Sequence, residues 1–306
     1  MKIVYLGTPD FAVEPLKRII ESGKHEVLAV VTNRDKPVGR KRVLTAPPVK
    51  AFALEKNIPV YQYDRIRLEG VEDMKALNPD VMITCAFGQI LSKEILDIPK
   101  FGVINIHASL LPKYRGASPI HYAILNGEKQ TGISVMKTDI GIDTGDVILQ
   151  KSLNINDGET CGQLFERLSI LGADCIIEAL SQIENKTATF IKQDDALATF
   201  TKIIKKEDAI IDWHDSAENV FNKIRAFNPA PIAFTTLNGL PFKIYEAEVT
   251  CDVGEAGKII KCDNQLVIGC GVGAISLKTV QKAGGNAMKI ADFLRGNKFT
   301  VGEDFV

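Results

Sequence analysis

The sequence has almost no net charge and no long hydrophobic run, and both absences limit what the protein can do. Its 306 residues include 37 basic and 38 acidic side chains, which gives a formal net charge of −1 at pH 7. Such a chain has no overall positive field for nucleic acid, so any binding of that kind has to come from a local patch. The apolar residues 3–6 are too short for a signal-peptide core, and no run approaches the length of a membrane span. We therefore expect a soluble, cytoplasmic protein that does not contact a membrane.

Cysteine is also scarce, and its spacing excludes two classes of small structural site. No two of the six cysteines form a C-x-x-C pair, which argues against a zinc knuckle and against a disulfide framework. We expect reduced, mostly buried thiols and no metal. The cysteines are Cys85, Cys161, Cys175, Cys251, Cys262 and Cys270.

Two common enzyme signatures are missing as well. The first turn after a strand, Gly7-Thr-Pro-Asp-Phe11, lacks the second and third glycines of the dinucleotide-binding G-x-G-x-x-G pattern, which argues against an NAD-dependent oxidoreductase. No G-x-S-x-G elbow surrounds Ser109 or Ser118, so a serine hydrolase is also disfavoured.

The first 190 residues alternate between strand and helix patterns. Such alternation predicts an α/β domain with a doubly wound, Rossmann-like sheet. The predicted strands are residues 3–6, 27–31, 60–61, 81–85 and 103–107, and the predicted helices are residues 9–22, 47–56, 69–77, 92–96, 118–125 and 161–183.

The sequence changes character after residue 190. Residues 191–206 are polar with a basic end and are predicted to be a linker, and residues 207–306 form a second domain. One helix is predicted at residues 216–227. Turn signals at Asn238-Gly239 and Asp263-Asn264 then predict short hairpins and a smaller β-rich domain.

The most informative residues are two polar side chains in an apolar strand. Asn105 and His107 lie two residues apart, so both point to the same side of residues 103–107. A strand inside a parallel sheet is covered on both faces, where an unpaired amide or imidazole is costly. Ligands of open α/β sheets bind beyond the carboxyl ends of strands, and this pair therefore indicates a site.

A second segment supplies carboxylates for that site. Asp139, Asp143 and Asp146 lie in a glycine-containing loop after the apolar residues 132–136, so the loop can bring one of them beside His107. An imidazole with an orienting carboxylate is a general acid or base unit. Taken singly, an Asp between glycines more often caps its own turn.

These residues resemble a known family, the 10-formyltetrahydrofolate-dependent formyltransferases. The resemblance lies in Asn105, His107, Asp143, Ser109-Leu-Leu-Pro112 and Arg115-Gly116. Further segments are similar to one branch of the family, whose members formylate the methionine carried by initiator tRNA. They are Gly7-Thr-Pro-Asp-Phe11, Asp35-Lys-Pro-Val-Gly-Arg40, Ile211-Asp-Trp213 and Arg225-Ala-Phe-Asn-Pro-Ala-Pro231.

The resemblance implies the activity, the partners and the roles of the catalytic residues. The expected reaction moves a formyl group from 10-formyltetrahydrofolate to the amino group of methionine on initiator tRNA, and the enzyme is expected to act as a monomer. Asn105 would donate to the oxyanion. Asp143 and His107 would handle the protons, and which of them moves each proton stays open.

The resemblance also implies a folate site and an OB-like barrel for residues 207–306, the kind of barrel that often contacts nucleic acid. The folate site would be formed by one loop that follows residues 103–107 and by two other segments. Its implied residues are Ser109, Leu110, Leu111 and Pro112, together with Phe87, Leu91, Ile140 and Gly141.

A basic loop is the predicted contact for tRNA. Residues 33–42 carry five basic side chains against one acid, Asp35, in a chain that is otherwise balanced. In the family, the arginine that matches Arg40 belongs to a loop that inserts into tRNA, and Lys202, Lys205 and Lys206 could extend the track. The five basic residues are Arg34, Lys36, Arg40, Lys41 and Arg42.

Two other functions stay open at this point. A formyltransferase that acts on a sugar amine or another small amine would share the catalytic residues but would not need the basic loop. An RNA-binding protein with an inert first domain would bind tRNA but would have no use for Asn105, His107 and Asp143 together.

Overall fold

The computed structural model describes residues 1–39 and 41–305, and within them the chain forms two packed units that interleave along the sequence. The first unit contains Met1–Gly116, Thr131–Leu153 and Phe165–Thr201. The second contains Ala117–Gln130, Asn154–Leu164 and the residues from Lys202 onward. Residues 191–201, part of the predicted linker, thus belong to the first unit.

The first unit is built around one seven-stranded sheet. Its strand order is β10-β9-β7-β6-β1-β2-β5, and two small two-stranded sheets pair β3 with β4 and β8 with β11. The strands are β1 (Lys2–Gly7), β2 (Glu26–Thr32), β3 (Lys36–Val38), β4 (Val43–Thr45), β5 (Val60–Gln62), β6 (Val81–Cys85), β7 (Val103–His107), β8 (Arg115–Gly116), β9 (Gln130–Lys137), β10 (Val147–Asn154) and β11 (Phe200–Thr201).

Nine α-helices occur among the described residues, and three of them, residues 119–125, 217–226 and 290–296, belong to the second unit. The α-helices are α1 (Val13–Glu21), α2 (Pro48–Glu55), α3 (Ile66–Glu69), α4 (Val71–Leu77), α5 (Lys93–Leu96), α6 (Pro119–Leu125), α7 (Cys161–Glu184), α8 (Ala217–Ala226) and α9 (Ile290–Gly296). Short 3-10 helices occur at Asp10–Ala12, Asp195–Leu197 and Lys206–Ala209. None of the described helices is long and apolar enough to cross a membrane.

The sheet confirms the predicted α/β fold, and β9 runs antiparallel to its neighbour β7. β5, β2, β1, β6 and β7 run parallel, whereas β9 pairs with β7 in the antiparallel sense. Every residue of β6 is buried, which explains why its sequence is continuously apolar apart from Thr84. An antiparallel edge on a mostly parallel sheet is common, and the spacing of apolar residues does not reveal it.

The second unit contains the predicted β-rich fold, a curled antiparallel sheet with a barrel-like form. The strands are β12 (Phe234–Leu237), β13 (Leu240–Thr250), β14 (Ile259–Lys261), β15 (Leu266–Gly269), β16 (Ala274–Lys282) and β17 (Met288–Lys289). The predicted Asn238-Gly239 turn joins β12 to β13, and both residues have positive φ, 51° and 74°, as a tight hairpin of this kind requires. Phe242 packs edge-on against Phe293 and Phe305 in the core of this unit.

The structure also gives an expected order of thiol reactivity. All six cysteines are free; four are buried and Cys251 is exposed. Burial raises the pKa of Cys85 and Cys161 to about 12 and that of Cys175 and Cys270 to about 11. Because the thiolate is the reactive form, about one thiol in a thousand or fewer is ionised at pH 8 at those four positions.

We therefore expect a chromogenic disulfide reagent at pH 8 to modify Cys251 first and the half-buried Cys262 more slowly. The four buried thiols should react only after denaturation. A Cys251→Ser variant should lose the fast phase and nothing else. Rapid modification of more than two thiols in the native protein would contradict this order.

Candidate functional site

The ends of two neighbouring strands bring the first polar groups together. β6 and β7 are parallel, and their register places Thr84 beside Asn105. The Thr84 hydroxyl donates to Asn105 Oδ1 over 2.9 Å. The other end of the amide lies 3.4 Å from Asp143 Oδ1. Because a carboxylate only accepts, that end is Nδ2, and the oxygen faces Thr84. The amide is therefore held as a donor that faces the carboxylate.

Of the three candidate carboxylates, the structure brings Asp143 to the strand ends. Asp139 instead caps its own loop, since its Oδ1 accepts from Gly141 N and from the Thr144 hydroxyl. Asp143 has a φ of 52° and accepts the Gly116 N–H at Oδ2 over 2.8 Å. Asp139 therefore caps the turn of its own loop, whereas Asp143 faces the strand ends.

His107 is buried and is held in one orientation. Its Nε2 lies 2.9 Å from the carbonyl oxygen of Tyr114. A carbonyl only accepts, so Nε2 carries a hydrogen and the neutral ring keeps its lone pair on Nδ1. That Nδ1 faces Asp143 Oδ2 at 3.6 Å, which is too long for a hydrogen bond but short enough for an ion pair once the ring is protonated.

Tyr114 itself has a strained backbone. Its φ is 61°, a region that bulky residues seldom occupy. The Tyr114 N–H donates to the Thr199 hydroxyl over 2.8 Å, which helps to hold the strained residue in place. Local strain of this kind persists where the surrounding contacts determine it, and it is concentrated at functional sites.

The arrangement can perform acid and base chemistry without a nucleophilic side chain. One neutral amide donor, one imidazole with a free Nδ1 and one carboxylate meet at the carboxyl edge of the sheet. An acceptor of protons lies beside a donor suited to a developing oxyanion. Within residues 1–39 and 41–305, no group of three or more His, Cys, Asp or Glu side chains is arranged to hold a metal ion.

The loop implied to contact folate is held by a hydrogen bond within the loop and by hydrogen bonds to β9 and β10. Ser109 is fully buried, and its hydroxyl donates to Lys113 O over 2.6 Å. The Leu111 N–H donates to Ser134 Oγ, and Gln150 Nε2 donates to Leu111 O over 2.8 Å. Leu110 and Pro112 are half-buried. The Ser109 hydroxyl therefore shapes the loop, and Leu110 and Pro112 are the parts of the loop that keep some exposed surface.

The other residues implied to contact folate differ in exposure. The Phe87 side chain is buried in the core, while its carbonyl accepts from Asn33 Nδ2 over 3.0 Å. Leu91 is half-buried. Ile140 is 75% exposed and Gly141 is exposed beside it. The Asp143 loop therefore presents uncovered apolar surface close to the Asp143 carboxylate.

The predicted basic loop folds as the hairpin of β3 and β4. Lys36, Lys41 and Arg42 are exposed there. Arg34 Nε pairs with Asp64 over 2.7 Å, so its charge is partly compensated. Arg40 lies outside the described residues.

The base of the hairpin is tied down by a network around Asp35. Lys50 Nζ donates to both Asp35 oxygens at 2.8 and 2.9 Å, and Gln62 Nε2 donates to Asn33 O and to Asp35 Oδ1. These donors lower the pKa of Asp35. The acid in the basic loop thus anchors it, while the cations toward its tip stay exposed.

Several residues of the site were missed by sequence reasoning. Thr84 orients Asn105, the Tyr114 carbonyl orients His107, and the Gly116 N–H holds Asp143. The only indication of Thr84 in the sequence is that it is the single polar residue of its strand. Backbone groups such as the Tyr114 carbonyl have no signal in the side-chain pattern.

Comparison with known proteins decides the family. The formyl transferase family model matches residues 1–180, and the model of the formyl transferase C-terminal domain matches residues 203–298. The chain belongs to the formyl transferase family. The family predicted from the sequence is thereby confirmed.

Individual relatives extend the comparison over the whole chain. A methionyl-tRNA formyltransferase of Geobacter metallireducens is 43% identical over 304 residues, which cover 99% of this chain and 97% of the relative. The enzyme of the same name from Ruminiclostridium cellulolyticum is 44% identical over 310 residues, 99% of each chain.

A solved N-formyltransferase of Helicobacter canadensis shares the fold. Its TM-score is 0.71 at 22% identity, with 92% of this chain and 99% of that chain covered. That structure was determined with folinic acid and dTDP-3-aminofucose.

Proposed function

We propose that this formyl transferase moves a formyl group from 10-formyltetrahydrofolate onto the α-amino group of methionine attached to initiator tRNA, for translation initiation. The observation that carries the proposal is the similarity to methionyl-tRNA formyltransferases along nearly the whole chain, at 43 and 44% identity. The juxtaposition of Asn105, His107 and Asp143 supports it, because acyl transfer to an amine needs a donor for the oxyanion and an acceptor for a proton.

The acceptor amine has to lose a proton before it can react. An α-amino group has a pKa of about 7.7 to 8.0, so much of it is protonated at neutral pH. Asp143, directly or through water, accepts this proton. The free Nδ1 of His107 faces the same carboxylate oxygen at 3.6 Å, so a proton on the ring would be stabilised by the charge of Asp143.

The amine nitrogen then forms a bond to the formyl carbon, and the carbonyl oxygen becomes negatively charged. Asn105 Nδ2 donates to this oxygen, and such a donor is typically worth roughly 3 kcal/mol of barrier. The amine nitrogen of the adduct carries a second proton, which the His107 and Asp143 pair takes up. The bond between the formyl carbon and nitrogen 10 breaks as the pair delivers a proton to nitrogen 10, and the proton removed before the attack leaves to solvent. Each side chain is thus assigned a step that its fixed orientation allows.

Binding of the donor uses the loop that follows β7 and the loop that contains Asp143. We assign the folate to surface formed by Leu110, Pro112 and Leu91, with Ile140 and Gly141 covering it. A flat heterocycle with amide-like edges suits apolar side chains interspersed with main-chain groups. Ser109, Leu111 and Phe87 support this surface from within the protein.

Acceptor binding is assigned to the β3 and β4 hairpin and to the second domain. In this division catalysis belongs to the predicted domain of residues 1–190 together with residues 191–201, which pack with it. Residues 202–206 connect the domains, and residues 207–306 form an OB-like domain that contacts tRNA. Lys36, Lys41 and Arg42 are exposed on the hairpin, where they can reach phosphates. Action as a monomer in the cytoplasm remains part of the proposal.

One assay separates this function from the alternatives. The protein is incubated with 10-formyltetrahydrofolate labelled at the formyl carbon and with either methionyl initiator tRNA, free methionine or a nucleotide-linked amino sugar. We expect label only in N-formylmethionine released from the tRNA. Label in the sugar would support the small-amine alternative, and tRNA binding without any formylated product would support the RNA-binding alternative.

A further inference from the structure

A buried glutamine holds the loop that carries Asp143. Gln193 Nε2 donates to the carbonyl oxygens of Asp143 and Gly145, over 2.8 and 2.7 Å. Its Oε1 accepts from Arg115 Nε and Nη2, over 3.0 and 2.9 Å. Because the carbonyls can only accept and the guanidinium can only donate, the orientation of this amide is unambiguous.

The held loop needs such support. Asp143 has a φ of 52°, a left-handed conformation that is unfavourable unless the surroundings impose it. Ile140 and Ile142 of the same loop are largely exposed and so provide little packing. At Gly145 an added Cβ would clash with the Lys137 carbonyl oxygen, so the loop also lies closely against β9.

Arg115 links Gln193 to the main chain at Gly116, and both of these contact Asp143. It is buried, and besides Gln193 it pairs with Asp195 over 2.8 Å. The next residue, Gly116, donates its N–H to the Asp143 carboxylate over 2.8 Å. The main chain of Asp143 is thus held by Gln193 and its carboxylate by Gly116, and Arg115 is bonded to both elements.

We propose that Gln193 is a positioning residue for formyl transfer, which sets the distance from the Asp143 carboxylate to His107 and Asn105. This inference rests on the proposed role of Asp143 as the proton acceptor. Gln193 touches no reacting atom; it acts through the loop. A displacement of a catalytic group by about 1 Å can cost about 100-fold in rate, so the loss of two loop hydrogen bonds should be visible in turnover.

Gln193→Glu is the sharpest variant to test this role. The glutamate has the same shape and keeps an oxygen for Arg115, with which it forms a buried ion pair. It removes both donated hydrogen bonds and places a carboxylate oxygen against two carbonyl oxygens. We expect kcat to fall by about 10- to 100-fold, while KM for the folate donor and for charged tRNA changes by less than about threefold. Gln193→Met, with similar length and no polar group, should lower kcat in the same way.

The matched control is Gln130→Glu. Gln130 is an exposed glutamine at the start of β9, and its amide lies 3.5 Å from Asn154 Oδ1. Its replacement should leave kcat and both KM values unchanged. Thermal unfolding of each variant, followed by circular dichroism, identifies any variant that is simply unfolded.

A double-variant comparison distinguishes positioning from general support. If Gln193 acts through Asp143, adding Gln193→Glu to Asp143→Asn should cause little further loss of kcat, because the group being positioned is already disabled. Multiplicative losses would overturn the proposal, as would a folded Gln193→Glu variant with normal kcat. If Asp143→Asn alone kept full turnover, the assignment of the base would fail instead, which is a separate result.

Discussion

Replacement of Asn105 or His107 by alanine is expected to lower turnover by about 100-fold or more while donor affinity stays nearly unchanged. The amide and the imidazole are assigned to charge that develops during the reaction, and groups of this type contribute about two to four orders of magnitude. Asp143→Asn should lower turnover at least as much, because the amide keeps the shape of the carboxylate but is not basic. The measurement is kcat and the KM for the folate donor at saturating methionyl initiator tRNA. Folate binding is followed separately by fluorescence or calorimetry.

Asp146→Asn is the matched control for the carboxylate. Asp146 belongs to the same segment and is half-buried, but the structure brings Asp143 to His107. The control should retain nearly normal kcat. Near-normal turnover in both Asn105→Ala and His107→Ala would contradict the assignment of the site.

The second large effect is expected in the basic hairpin. The double variant Lys41→Ala/Arg42→Ala should raise KM for charged tRNA by at least about tenfold, since a hydrogen bond to a charged group contributes roughly 1.5 kcal/mol or more. The salt dependence should become shallower by about one to two units of logarithmic slope, because each lost phosphate contact removes roughly 0.7 to 0.9. The affinity for folate should not change.

Lys24→Ala/Lys56→Ala serves as the control. Both lysines are exposed and neither belongs to the hairpin, so an equal loss of net charge should leave the salt slope unchanged. The opposite result would be a loss of folate affinity in the hairpin variant with tRNA use intact at every salt concentration. It would show that the hairpin serves the folate donor and that the assignment of the hairpin to tRNA is wrong.

Much of the fold could be predicted because its elements depend on local sequence patterns. The buried strands β1 and β6 are apolar apart from Lys2 and Thr84, and the Asn238-Gly239 turn specifies a hairpin through its backbone preferences. The antiparallel direction of β9 could not be predicted, since the pattern of buried residues is the same for both directions. Residues 191–201 pack within the first unit, whereas their polar sequence alone indicates a linker.

The candidate site was only partly predictable for a related reason. Asn105 and His107 stand out because polar side chains are rare in a buried strand. By contrast, Gln193 looks like an ordinary surface residue, and Arg115 belongs to the family motif without any sign that it is buried. Both are buried because each satisfies the other and Gln193 bonds the Asp143 loop. Long-range pairing of this kind depends on the tertiary fold, and spacing along one sequence does not contain it.

The most direct test of the account is a crystal structure of the protein with a stable analogue of the formyl donor and a methionyl-tRNA mimic. We predict the formyl oxygen at about 2.7 to 3.1 Å from Asn105 Nδ2, with the acceptor nitrogen within hydrogen-bond reach of Asp143, directly or through one water. A formyl group bound away from Asn105, His107 and Asp143, with the acceptor amine beside it, would contradict the account.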